Sequence, residues 1–525
     1  MFAMSEGLTL TPAVLRVELT SMQTPRSDPT LCGPSGGHSE DAATKTFCIA
    51  PPPARRRNPG LRQWIAAVIV NMLYMAEAAG YLAKQKIIFS QEDDMPSIRR
   101  SINVSMWVAG ILSFLLHFII LQLLKRKFHI IIICIVYYAT ALAMSIDTDN
   151  SYKTNYFISV LWAIASTGTM MFVSVYISET TPDHTRGKLI AIKTLFRYLV
   201  FSFSLLKYPL IPHSWLVIAI PTVVLLSCFW LPETPVFLLR RGNVDATKQS
   251  LRRLHGNAAE VEQEVEKLRT LLKATHSDTN NTIAALRKFS NIRTLGYSGL
   301  AIILSLLDFL SGVVLAEGNI MVQNIGVGKG QLLPMLIINL IIFISCTMTG
   351  LLMCDRIGHR KTLLVSIVVC SVALLLNGIW YWNVDSFWVL SIIAFLLAAL
   401  HFFGYSFGMS FLPTAITIDI FPPSLLYILL AITGIISWPF YSDRNISLSI
   451  YNYTFDTIYI YLLLLSAVCA LTVPLVYFLL PETTNKHVGA LLLENRVVNT
   501  TCPDNKNSRS NKYNECNSSS TSPQA

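Results

Sequence analysis

LPETPVFLLRRG at residues 231–242 and LPETTNKHV at 480–488 each begin where a long apolar run ends. Four shared residues alone would carry little weight, but their placement carries more. Six apolar runs precede the first copy, near 63–83, 101–123, 128–146, 155–178, 189–208 and 214–231. Six more precede the second, near 296–316, 332–353, 362–381, 387–416, 424–441 and 457–480. Each holds about 20 residues, the length a helix needs to cross roughly 30 Å of hydrocarbon. A second echo sets Glu179 after the fourth run and Asp419 after the tenth. The chain therefore reads as an all-α membrane protein, with twelve transmembrane helices duplicated as two six-helix bundles at 61–231 and 296–480.

Composition agrees. Of 525 residues, 53% are hydrophobic and only 14% charged, against about a quarter in a soluble domain. The net charge of +10 would suit a nucleic-acid partner, but its placement points to membrane lipid instead. Arg55, Arg56, Arg57 and Arg62 precede the first run, and Lys125, Arg126 and Lys127 follow the second, which puts both termini in the cytoplasm. Lys84, Lys86, Arg99 and Arg100 in the first outer loop oppose this, with Glu92, Asp93 and Asp94 among them. The ten cysteines fall in spans or cytoplasmic tails, so no disulfide framework is expected. Residues 1–60, rich in Pro, Ser and Thr and without an apolar signal core, and the polar stretch within 481–525 read as disordered cytoplasmic tails. Asn445 and Asn452 open sequons in the outer loop between spans eleven and twelve, where glycosylation is expected.

Segment 232–295 is the largest cytoplasmic insert. Val261, Val265, Leu268 and Leu272 recur in it at helical spacing among charged residues, and Gly256-Asn257 would end a preceding helix at 244–255. Short amphipathic helices are expected here. Enzyme signals are missing: GVGKGQ at 326–331 lacks the spacing of a phosphate-binding loop, and no zinc spacing or nucleophile elbow occurs. No cofactor or metal is expected.

The loop sequences resemble a known family. YISETTPDHTRG at 176–187 resembles the Glu-x6-Arg-Gly signature of sugar porters in the major facilitator superfamily. LPETPVFLLRRG resembles the family's signature after helix 6, DRIGHRK at 355–361 its loop after helix 8, and LPETTNKHV its closing signature. Divergent insect sugar transporters of the facilitated trehalose type look most similar. The resemblance implies a major facilitator fold and alternating access. It also implies an inner latch of ion pairs from Glu179, Arg186, Glu233, Asp355, Arg356, Arg360 and Glu482. The plainer alternative is that these charges cap helices and set topology. The latch is not symmetric in sequence. The loop after helix 2 reads LLKRKF, without the Asp and Gly, and position 426, which should hold Arg, holds Leu.

The family's sugar-binding pattern is eroded further. In helix 7, DFLSGVV (308–314) keeps Ser311 and Gly312, but Asp308, Phe309 and Val314 stand where amides are usual. Thr194 takes the helix 5 Gln position, Phe343 the helix 8 Asn position with Asn339 one turn away, Thr414 the helix 10 Trp position, and Ser437 the helix 11 Asn position before Trp438. Each lost hydrogen-bond partner costs about 1–3 kcal/mol. Ionisable groups inside spans point to function: Glu77 as a possible proton-coupling acid, with Asp308 expected to pair with Lys193 or Arg197 across the cavity. His117 and His401 read as packed, hydrogen-bonded residues. The expected function is secondary transport of a small polar solute, a sugar first, with no obligate protein partner. The alternative is a non-transporting sensor or scaffold on the same fold.

Overall fold

The computed structural model describes residues 61–89, 96–146, 152–181, 185–204, 213–255, 258–276, 292–324, 332–382, 388–442 and 458–483. Among these it is helical, with no strand. Ahead of the insert lie α1 (Leu61–Asn71), α2 (Leu73–Phe89), α3 (Pro96–Leu123), α4 (Arg126–Ile146), α5 (Tyr152–Thr180), α6 (Arg186–Ser204) and α7 (His213–Ser227). The insert supplies α8 (Pro235–Arg240), α9 (Val244–His255) and α10 (Ala258–His276). Beyond it come α11 (Ile292–Asn324), α12 (Leu332–Ile357), α13 (His359–Trp382), α14 (Trp388–Gly404), α15 (Leu412–Ile420), α16 (Pro423–Ser442) and α17 (Ile458–Leu479). Residues 1–60 and 484–525, and with them the tail readings and the sequons at Asn445 and Asn452, lie outside the described residues.

Among the described residues, each stretch read as a span falls chiefly on helix, 63–83 and 387–416 each on two. Eight stretches among the described residues are long and apolar enough to cross a membrane. Trp215–Ser227, Leu340–Cys354 and Leu425–Pro439 are shorter apolar helices. α6 carries Arg186, Lys188, Lys193 and Arg197, so its sequence is the most polar of the set. Large apolar side chains such as Leu112, Ile341, Leu464 and Leu471 are exposed on the helix exteriors. In water such a surface would drive aggregation; in a bilayer it meets hydrocarbon. The protein is an integral membrane protein.

Helices α1–α7 pack chiefly among themselves, as do α11–α17. Contacts between the two sets run from α3 and α5 to α16, and from α6 to α12 and α15. Span ten is interrupted: a π-helical turn, Tyr405–Met409, joins α14 to α15. Pro413 explains the break, because it has no N–H to bond back along the helix and its ring crowds the preceding turn. In the insert, Leu251 of α9 packs on Val261 and Val265 of α10, with Val244 and Leu268 against them.

Candidate functional site: a latched interface between two helix sets

The two LPET acids sit at equivalent places and do the same thing. Arg126 is the first residue of α4 and His359 the first of α13. Glu233 accepts from the Arg126 N–H at 2.7 Å and the Lys127 N–H at 3.4 Å. Glu482 accepts from the His359 N–H at 2.9 Å and the Arg360 N–H at 3.5 Å. The first N–H groups of a helix have no partner within it, and the dipole there favours a negative charge. These acids are caps supplied from a distant loop. Gly358, at φ +105°, makes the turn into α13, and a side chain there would collide with the Glu482 carboxylate.

Next to the caps lie two buried carboxylates. Glu179, at the end of α5, receives the Arg126 guanidinium on both oxygens, Nε to Oε2 at 3.0 Å and Nη2 to Oε1 at 2.8 Å. The Tyr427 hydroxyl of α16 donates to the same Oε1 and accepts from Arg126 Nη2 at 3.0 Å. Arg126 also donates to the Leu121 carbonyl and lies over the rings of Phe237 and Tyr427. Asp419, near the end of α15, receives Arg186 Nη1 on Oδ1 at 2.9 Å, and His359 Nδ1 stands 3.4 Å from its Oδ2. A buried ion pair offsets its desolvation only when its remaining polar atoms are satisfied. The bidentate contact and the added hydroxyl do this for Glu179.

The pattern is a pseudo-twofold. Each carboxylate is held by the first residue of a helix in its own set, Arg126 or His359, and by one residue of the opposite set, Tyr427 or Arg186. The asymmetry expected from LLKRKF and Leu426 is therefore corrected: Arg126 and Tyr427 occupy the roles that the loop sequences left open. Glu179 and Arg186 both form buried ion pairs, with different partners. Arg360 donates to the Tyr477 carbonyl, and Arg356 is exposed. The side chain of Asp355 lies outside the described residues, as does that of Asn339.

Farther along the interface, the ionisable groups sort differently from the expected pairing. Glu77 of α2 is fully buried and takes Arg197 Nε at 3.0 Å, with Ser166 donating at 3.5 Å. Arg197 also lies over the Tyr74 ring. Lys193, one turn earlier on α6, donates to Thr414 Oγ1 at 2.6 Å. Asp308 of α11 accepts from the Tyr405 hydroxyl at 2.9 Å and makes no ion pair with Lys193 or Arg197. Tyr405 opens the π-helical turn, and its place beside Asp308 was not foreseeable from helical spacing. Thr194 donates to the Ser410 carbonyl at 3.1 Å.

Other residues at the family's solute-binding positions make contacts within the protein. Trp438 is buried, donates to the Met106 carbonyl at 3.1 Å and packs on Trp162 and Phe114. It wedges against Gly110, where a Cβ would lie 1.9 Å from its Nε1. Phe343 stacks on Tyr198 of α6 with centroids 3.8 Å apart. Ser311 and Ser437 are fully buried, whereas Gly312, Asp308, Thr414 and Lys193 keep part of their surface accessible. His117 and His401 are buried; His117 bonds His129 at 2.9 Å and the Ile164 carbonyl at 2.9 Å.

Comparisons with known proteins agree with this architecture. The Sugar (and other) transporter family matches residues 69–490. Sugar transporter ERD6-like 10 of Arabidopsis thaliana is 26% identical over 339 residues, covering 62% of this chain and 70% of that protein. Facilitated trehalose transporter Tret1 of Drosophila grimshawi is 26% identical over 258 residues, 48% of this chain and 28% of that protein. Among solved structures, the proton:xylose symporter XylE bound to 6-bromo-6-deoxy-D-glucose superposes with a TM-score of 0.68 at 16% identity, over 82% of this chain and 98% of that one. The fold is the major facilitator fold, and the chain belongs to the sugar (and other) transporter family, a family of transporters and not enzymes.

Proposed function

We propose that this sugar-porter-type protein moves a small polar solute, a sugar or a close chemical relative of one, by alternating access between its two helix sets. The observation that carries the reading is the crossing pair Arg186–Asp419 beside Tyr427–Glu179. Both tie the sets together at the LPET end, and both are reversible. Accessible polar side chains of α6, α11 and α15 lie farther along the same interface. Such a latch has a purpose in a protein whose halves separate. We assign the latched end to the cytoplasm with both termini, the helix sets to rocking units at 61–231 and 296–480 joined by 232–295, and the protein to the plasma membrane. Glu77 with Arg197 is placed as the pair through which a proton could be coupled. Radiolabelled uptake of a sugar panel into proteoliposomes, with and without a pH gradient, tests the proposal. Saturable flux of any member supports transport. Binding without flux supports the sensor reading, which the Tyr198–Phe343 stack at a usual amide position favours.

A further inference from the structure

Lys193, two turns along α6 from Arg186, is an ammonium with one hydrogen bond, to the Thr414 hydroxyl, and no carboxylate within ion-pair distance among the described residues. An ammonium has three donors, so two are uncommitted. Of the other basic groups on α6, Arg197 is bound to Glu77 and Arg186 to Asp419. Asp308 faces the same region from α11, with Tyr405 donating to Oδ1 and, among the described residues, no hydrogen bond on Oδ2. Lys193 and Asp308 attract one another but do not touch. They belong to opposite helix sets, and both keep accessible surface. The positions that would offer neutral amides to hydroxyls carry Thr194, bonded to the Ser410 carbonyl, and Phe343, stacked on Tyr198.

We propose that the solute is a polyhydroxylated monocarboxylate, a sugar acid, whose carboxylate pairs with Lys193 while its hydroxyls donate to Asp308. A partly buried cation with no carboxylate in contact is unfavourable, and an anionic cargo would supply that contact. A second carboxylate on the cargo is excluded: Glu77 and Asp308 already match Arg197 and Lys193 in charge, so a dianion would find no further cation. Contact with α6 at one end and α11 at the other would also join the two helix sets through the cargo. The inference rests on the transport reading above and deepens its substrate class.

The test uses full-length protein in proteoliposomes with labelled glucuronate, glucose and lactate, alongside thermal unfolding with each solute. Wild type is expected to carry glucuronate in clear preference to both others. Lys193→Gln is expected to lower the glucuronate-to-glucose flux ratio about tenfold or more, the scale of one charge-assisted hydrogen bond, and Lys193→Arg to restore part of it. Asp308→Asn should lower discrimination of glucuronate over lactate. Glucose flux equal to or above glucuronate flux, or a ratio unmoved by Lys193→Gln, overturns the sugar-acid assignment and leaves transport standing. Lactate carried as well as glucuronate overturns the hydroxyl contact. Glucuronate raising the unfolding temperature of wild type but not of Lys193→Gln, without flux, supports the site and removes transport. No flux and no thermal shift with any solute overturns both.

Discussion

Arg186 and Asp419 meet at 2.9 Å with both side chains nearly inaccessible, and one belongs to the helix set before the insert and the other to the set after it. The contact therefore exists only while the two sets are together at this end. Breaking a buried pair by removing one partner costs about 3–5 kcal/mol, because the other charge is left unpaired. Arg186→Gln or Asp419→Asn should favour opening at the LPET end. In a protein whose native cysteines have been replaced, Thr181→Cys should then react faster with a maleimide than it does beside the intact pair. Combining Arg186→Gln with Asp419→Asn should cost less than the two effects summed. Equal labelling in all backgrounds would show that the pair does not hold the closed state.

Tyr427 contributes a single hydroxyl to Glu179 across the same interface. Tyr427→Phe leaves the Arg126–Glu179 pair intact within its own set and removes the hydroxyl's two crossing bonds, the one to Glu179 and the one from Arg126. The expected loss is about 1.5–3 kcal/mol, the scale of hydrogen bonds to charged groups, seen as a rise of about tenfold or more in Thr181→Cys labelling with little change in unfolding temperature. A large fall in unfolding temperature would mean that the hydroxyl holds the fold and not the latch.

Gly110 lies under Trp438 so closely that a methyl group would sit 1.9 Å from the indole nitrogen. Gly110→Ala should therefore destabilise by about 1–3 kcal/mol, the usual cost of overpacking. Trp438→Ala by itself would leave a cavity, but combined with Gly110→Ala it should cost less than the sum. Thermal unfolding in detergent of the single and double variants measures this coupling. Strict additivity would show that the indole moves aside at no cost.

Burial raises the Glu233 carboxyl above its ordinary 4.5, against the pull of the Arg126 and Lys127 N–H groups. A carboxyl raised in this way favours the folded state while it is protonated, and that contribution is lost as pH rises through its folded value. Glu233→Gln keeps a carbonyl acceptor and removes the charge. Its unfolding temperature should gain on wild type as pH is taken from about 4 to about 7. A difference that stays constant with pH would place Glu233 in a solvated setting.

The twelve apolar runs, their duplication and the placement of LPET were all legible in the chain, because hydrophobic length in a bilayer is a local property that each run satisfies alone. Glu179 and Arg186 were legible too, as charges with no local reason to be where they are. Their partners were not. Arg126 stands 53 positions from Glu179, and Tyr427 is 248 positions away. Leu426 suggested an unfilled role, which the next residue, a tyrosine, fills. The separate fates of Lys193 and Arg197, one turn apart, were equally out of reach, since helical spacing fixes the shared face but not what the opposing helices present to it. Sequence determined which groups must leave water; packing between α6, α11, α15 and α16 decided which of them found one another, because a side chain's partner depends on helices that meet only when the chain has folded.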